Sequence, residues 1–140
     1  MRLLIDTNIF IYLAVDQDSL SKDVRALLED YDNNVCMSVE SLRELVVLYN
    51  NGGIVSKVWK SSHEMLKSLD GDYLIDVLPL DANVMDTYSR LRLNTAQDHR
   101  DPSDHVIISH AITLGIPLIS SDRKFPFYRS QGLELIENFK

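Results

Sequence analysis

Apolar residues in this chain fall into short unbroken runs and into stripes at helical spacing. Leu3-Leu4-Ile5 is continuous and closes on Asp6, the pattern of a strand buried on both faces. Residues 8–15 then read as a short helix. Residues 21–30 read as a second, with Val24, Leu27 and Leu28 on one face. Asp32-Asn33-Asn34 marks a turn, and Val35-Cys36-Met37 is the second strand. Ser38 or Ser41 opens the next helix, which runs to about Asn50, with Leu42, Leu45, Val46 and Tyr49 as its apolar stripe. Asn51-Gly52-Gly53 ends it. Residues 54–69, with Val58, Trp59, Met65 and Leu66, read as another helix, and Asp70-Gly71-Asp72 turns the chain into a third strand over 73–78. Asp81 caps a helix reaching roughly to Leu93. After a polar stretch over 94–100, Asp101-Pro102-Ser103-Asp104 opens a further helix, with proline at its first position. Ile107, Ala111 and Leu114 form its buried stripe, and Gly115 ends it. Pro117-Leu118-Ile119-Ser120 is the fourth strand, and Leu133-Glu134-Leu135-Ile136 the last.

Strands and helices alternate throughout. This predicts an α/β fold, a three-layer α/β/α sandwich around a mostly parallel sheet, with residues 1–140 as a single domain. The composition, 45% hydrophobic and 25% charged, is that of an ordinary globular domain. Cys36 is the only cysteine, so no disulfide framework and no cysteine metal site forms within one chain. Asp6 and Asn8 interrupt the N-terminal apolar run too early for a signal peptide. The longest clean apolar run, 9–15, is too short to span a membrane. A cytoplasmic protein is expected.

The net charge of −7 argues against a broad basic surface for nucleic acid. Charge crowded into one site means something different, because carboxylates can hold divalent cations, which in turn bind phosphate. Ligands of an open parallel sheet bind outside the carboxyl ends of its strands. Asp6 follows the first strand, Glu44 lies in the first turns of the helix after the second, Asp104 opens the helix before the fourth, and Asp122 follows the fourth. Each has an ordinary structural explanation. Asp6 would cap a helix, Ser41-Leu42-Arg43-Glu44 fits a capping box, Asp104 suits a helix dipole, and Asp122 would shape a turn or pair with Arg123. Four acids converging on one edge repel one another, however, and all-oxygen ligation suits Mg²⁺ or Mn²⁺. Two such ions about 4 Å apart can hydrolyse a phosphodiester. Glu40 shares a helical face with Glu44, and residue chemistry does not choose between them.

The motifs resemble those of PIN domains. Leu4-Ile5-Asp6-Thr7-Asn8 is similar to their opening motif, and Ser38-Val39-Glu40-Ser41-Leu42-Arg43-Glu44-Leu45 to their second, whose glutamate falls on Glu44. Val77-Leu78-Pro79-Leu80-Asp81 resembles the usual third-strand segment. His99-Arg100-Asp101-Pro102-Ser103-Asp104 resembles the third acidic motif of one branch, and Leu118-Ile119-Ser120-Ser121-Asp122 the fourth. The resemblance runs in order over nearly the whole chain. It assigns the third acid to Asp104 and leaves Asp101 as a helix cap that could support the metal ligands from behind. Many PIN domains of this size are VapC-like toxins. The resemblance thus implies an Mg²⁺- or Mn²⁺-dependent ribonuclease, a small antitoxin that blocks the site, and homodimers. That branch often has phenylalanine at Ser103 and arginine at His105. Those departures bear on substrate contacts and remove no metal ligand.

On this reading Asp6 is the central ligand, Asp104 and Asp122 complete the ion sphere, and Glu44 binds a second ion or orients water. Thr7, Asn8 and Ser120 are candidate partners for substrate or water. Arg43, Arg100, Arg123 and Lys124 either supply local positive charge or pair with adjacent acids. Cleavage would leave a 5′-phosphate and a 3′-hydroxyl. His105 and His110 are five apart and do not share a helix face, so a zinc site is not indicated. The apolar set around Trp59 suits the core better than a docking face. The rival enzyme is a phosphatase with Asp6 as nucleophile, which usually needs an aspartate where this chain has Asn8. A non-catalytic binding module that keeps the fold, or a house-keeping nuclease with no antitoxin, would carry the same motifs.

Overall fold

In the computed structural model, which describes residues 1–139, strands and helices alternate. The elements are β1 (Arg2–Ile5), α1 (Thr7–Val15), α2 (Lys22–Glu29), β2 (Asn34–Ser38), α3 (Val39–Asn50), α4 (Ser62–Gly71), β3 (Asp76–Leu78), α5 (Ala82–Arg90), α6 (Pro102–Leu114), β4 (Leu118–Ser120) and β5 (Leu135–Glu137). Every strand pairing is parallel, and the sheet order is β3-β2-β1-β4-β5.

Successive side chains of a strand face opposite ways, and the core divides accordingly. Leu3, Ile5, Val35, Met37 and Ile119 pack on one face with Phe10, Val24, Leu45 and Met65 of the first four helices. Leu4, Cys36 and Leu118 pack on the other with Ile107, Ile108 and Ala111 of α6. Helices therefore cover both faces, which gives the three layers. From β1 the chain builds outward through β2 to β3, then returns to place β4 and β5 on the other side. The connections leaving β1 and β4 thus diverge, which opens a crevice between their carboxyl ends.

Local chemistry sets the helix ends near that crevice. Asp6 caps α1, accepting from the Ile9 amide at 2.9 Å. Asp101 caps α6, accepting from the Ser103 amide at 3.0 Å, ahead of Pro102. Gly115 closes α6 with φ of 65°, where its lack of a Cβ matters.

The structure departs from the sequence expectations in several places, and the last strand, expected over 133–136, is Leu135–Glu137. Ser38, not Ser41, caps α3, its hydroxyl accepting from the Glu40 amide. Ser41 lies inside the helix with a buried hydroxyl that makes no hydrogen bond, so the Ser41–Glu44 capping box does not form. The helix expected over 54–69 is shorter. Ser61 caps α4, which starts at Ser62, and the preceding residues are irregular, with Val55 and Val58 in water. Trp59 is still core, stacked on Phe10 with ring centroids 6.0 Å apart. The third strand is only Asp76–Leu78. Tyr73 and Ile75 amides bond back to the carbonyls of Ser68 and Leu69, closing α4, and Leu74 takes a positive φ. Likewise α5 stops at Arg90, where the Leu91 amide turns back to Tyr88. Among the described residues no helix is long and apolar enough to cross a membrane.

Candidate active site

Asp6 leaves β1 at the crevice and is buried. One oxygen caps α1, and the other accepts from Ser120 Oγ at 2.6 Å, at the end of neighbouring β4. Glu44 sits in the second turn of α3 and accepts from Thr7 Oγ1 at 2.5 Å. Since no capping box claims it, its other oxygen is left for a ligand. Asp104 lies in the first turn of α6, but Asp101 already caps that helix. Its Oδ2 lies 3.0 Å from His99 Nε2. Asp122 follows β4, with Oδ1 accepting from the Lys124 amide at 2.8 Å and its own amide donating to Ser120.

A cavity of about 270 Å³ is lined by Asp6, Thr7, Asn8, Glu44, Leu48, Asp101, Asp104 and Asp122. Ligand atoms of Glu44, Asp101 and Asp104 lie within 4.8 Å of one another, and so do those of His99, Asp104 and Asp122. Asp104 is common to both groups. Asp6 faces the same cavity but belongs to neither. A larger groove of about 700 Å³ opens at the start of β2, lined by Leu13, Tyr31, Asn34 and Leu74 among others. Among the described residues it gathers no comparable ligand group.

Burial and mutual repulsion make Asp104, Asp6 and Glu44 reluctant to ionise. Burial pushes Asp104 up to about 8, and Asp101, Asp122, Glu44 and Asp6 add to the shift. Burial carries Asp6 up to about 6, against the hydrogen bonds from Ser120 and Ile9. Glu44 is raised as well, first by burial, with Thr7 opposing. A cavity lined by several carboxylates, with His99 at its edge, offers mainly oxygen donors, which fits Mg²⁺ or Mn²⁺ chemically.

The candidate substrate contacts divide. The Thr7 and Ser120 hydroxyls are given to Glu44 and Asp6, so they hold those two carboxylates in place. Asn8 is exposed at the cavity. Arg123 is exposed and stacks on the Phe139 ring, 4.1 Å from its centroid. Arg43 forks onto Glu40, and both bond Ser103. Glu40 is thereby tied into an α3–α6 bridge and is not among the cavity residues. Arg100 pairs with Asp98. His105 is buried with Nε2 against the His99 carbonyl, so it does not reach substrate. Sequence reading does not single out His99. It lies in the polar stretch before α6, and its partner Tyr128 is 29 residues away, a contact that no local pattern encodes.

The carboxylate cavity lies at the switch point of the parallel sheet, where ligands of such sheets bind. A PIN domain profile matches residues 3–130, and the chain belongs to the PIN domain family, a family of nucleases. Among solved structures, it is similar to a chain in the crystal structure of VapBC2 from Rickettsia felis bound to a DNA fragment from its promoter. Identity there is 24%, TM-score 0.70, and 98% of each chain is covered. A chain of VapBC-1 from nontypeable Haemophilus influenzae gives 24% identity and TM-score 0.69 over 98% of each chain. FitAcB from Neisseria gonorrhoeae gives 19% identity and TM-score 0.67 over 97% of each. No curated protein sequence matches significantly.

Proposed function

We propose that this chain is an Mg²⁺- or Mn²⁺-dependent endoribonuclease, working as one domain in the cytoplasm as the toxin of a toxin–antitoxin pair. The observation that carries the nuclease reading is the meeting of Asp6, Glu44, Asp104 and Asp122 in one cavity, with Asp104 raised to about 8 by burial and by its acidic neighbours. Folding keeps repulsive charge there at a cost to stability, which a site serving only the fold has no reason to bear. The toxin reading rests on likeness to chains from toxin–antitoxin structures. A small antitoxin and a second copy of the chain are the partners it implies.

Asp6, as the central ligand, would hold the cation with Asp104, Asp122 and Glu44, and Asp101 would support them from the cap of α6. When bound, a divalent cation supplies charge compensation, polarises a phosphoryl oxygen and lowers the pKa of water. The protein's own part is placement. Thr7 holds one oxygen of Glu44, Ser120 one of Asp6, and the Lys124 amide one of Asp122. Each carboxylate is fixed by the protein and keeps acceptor capacity toward the cavity. Asn8 and Arg123 are left to meet the RNA.

The test is incubation of the purified protein with labelled structured and single-stranded RNAs in Mg²⁺, Mn²⁺ or EDTA, beside Asp6→Asn and Asp104→Asn. Metal-dependent products with 5′-phosphate ends, absent in both variants, are expected. Ends carrying a 2′,3′-cyclic phosphate would show attack by the RNA's own 2′-hydroxyl and refute the mechanism. Neither cleavage nor Mn²⁺ binding would leave a PIN-shaped binding module.

A further inference from the structure

Behind Asp104 lies a buried chain of hydrogen bonds that ends on the backbone. His99 Nε2 lies 3.0 Å from Asp104 Oδ2, and His99 Nδ1 lies 2.9 Å from the Tyr128 hydroxyl. That hydroxyl also accepts from the Asn94 amide at 3.1 Å. Both rings are removed from water, with the His99 side chain 2% exposed and Tyr128 fully buried.

Hydrogen accounting fixes where the protons sit. The Asn94 amide can only donate, so it occupies one acceptor site on the Tyr128 oxygen. The tyrosine's own hydrogen then needs an acceptor, and among the described residues His99 Nδ1 is the one within reach. If Nδ1 carried a proton, the tyrosine hydrogen would be left buried and unpaired, which is costly. His99 is therefore protonated at Nε2, and that N–H donates to Asp104 Oδ2. His105 fixes the same residue from behind, with Nε2 on the His99 carbonyl at 3.0 Å. Its ring packs edge-on against the His99 ring, at 4.7 Å between centroids.

We propose that His99 is a positioning residue, whose Nε2–H, set in that tautomer by Tyr128 and the Asn94 amide, holds one oxygen of Asp104 so that the other is presented to a divalent cation. His99 is then not itself a cation ligand, although it stands within a possible ligand group with Asp104 and Asp122. The proposal rests on the reading of Asp104 as a cation ligand. It adds that the ligand's aim is decided from outside the acidic cluster, by an aromatic hydroxyl contributed by the segment between β4 and β5.

Two measurements test it. The first is the ¹⁵N–¹H spectrum of the histidine rings in the wild-type protein at neutral pH, in EDTA and in saturating Mg²⁺. A pyridine-type Nδ1 and a protonated Nε2 on His99 are expected in both. The Nε2–H signal should shift on adding Mg²⁺ without disappearing. A protonated Nδ1, or loss of the Nε2 proton with metal, would overturn the proposal and make His99 a ligand. The second is Mn²⁺ affinity of wild type, Tyr128→Phe and His99→Gln by calorimetry, with circular dichroism to check folding. Loss of the hydroxyl should weaken Mn²⁺ binding about tenfold, as for other partners of metal ligands, in a protein that still folds. Unchanged affinity in folded Tyr128→Phe would refute positioning while leaving the cation site standing. No Mn²⁺ binding by the wild type would instead overturn the site reading, and the proposal with it. The ring spectrum needs no variant, so it decides the tautomer even where a substitution fails to fold.

Discussion

Asp104→Asn converts the site's electrostatic strain into a measurable stability. In the folded, metal-free protein Asp104 ionises only near 8, against an ordinary 3.8. The fold therefore holds this proton more tightly than the unfolded chain does. Stability is greatest below the unfolded value and is lost as pH rises through the folded one. A carboxyl displaced that far costs about 6 kcal/mol when fully charged, at 1.4 kcal/mol per tenfold in its ionisation constant. The side chain keeps 20% of its surface in water, and Asp6 and Glu44, raised as well, repel it less, so about 3 kcal/mol is the realised cost. For a domain of this size that is roughly 10 °C in Tm. Asparagine removes the charge and still offers an oxygen to His99. In EDTA, wild-type Tm should fall between pH 5 and pH 9, while the variant falls much less and is the more stable protein at pH 9. The two should converge only toward pH 4, near the unfolded value, and be measurably apart by pH 5. Adding Mg²⁺ at pH 9 should stabilise the wild type and leave the variant unmoved. Glu134→Gln, an exposed acid outside the cavity, controls for net charge. A wild-type Tm flat across this range, or a variant falling as steeply as its parent, would contradict the electrostatic account.

Two further substitutions probe the ligand anchors and the core. Thr7→Val deletes the hydroxyl that grips Glu44 at 2.5 Å with little change of shape. It should weaken Mg²⁺ binding about tenfold, with urea stability within about 1 kcal/mol of the parent; an unchanged Kd would show that Glu44 needs no anchor. Trp59→Ala removes a buried ring stacked on Phe10 and should cost about 3–5 kcal/mol in urea denaturation. Trp59→Phe should cost far less, because the buried indole N–H makes no hydrogen bond. Equal losses in the two would speak against packing as the source of the stability.

The parts of the fold that are legible in the sequence are those written locally. Leu3-Leu4-Ile5 ends on the residue that caps the next helix, and Asp101-Pro102 and Gly115 bracket α6. Strand-end placement is enough to bring Asp6 and Asp122 to neighbouring strands. Where two local signals compete, the sequence does not decide between them. Ser38 and Ser41 are both able to cap, and only the register of β2 into α3 decides for Ser38. Tyr73 and Leu74 look like strand residues, yet the chain there is claimed by the end of α4. The apolar set at 54–69 supplies core as expected, but irregular backbone delivers Trp59. His99 is invisible for a different reason. Its role depends on Tyr128, brought near only when β4 and the turn after it are in place.

The doubled duty of Asp6 bears on how such sites decay. This carboxylate starts α1 and also lines the cavity, so a descendant that lost catalysis would still be under selection to keep it for folding. Asp101 is held in the same way by α6. Asp104 and Glu44 cap nothing, and their burial among like charges burdens the folded state. Once catalysis is abandoned, drift should reach those two first, and substitutions there should be stabilising. In any lineage of this architecture, an intact strand-end aspartate is therefore a poor sign of a living enzyme, and an acid at the position of Asp104 a much better one.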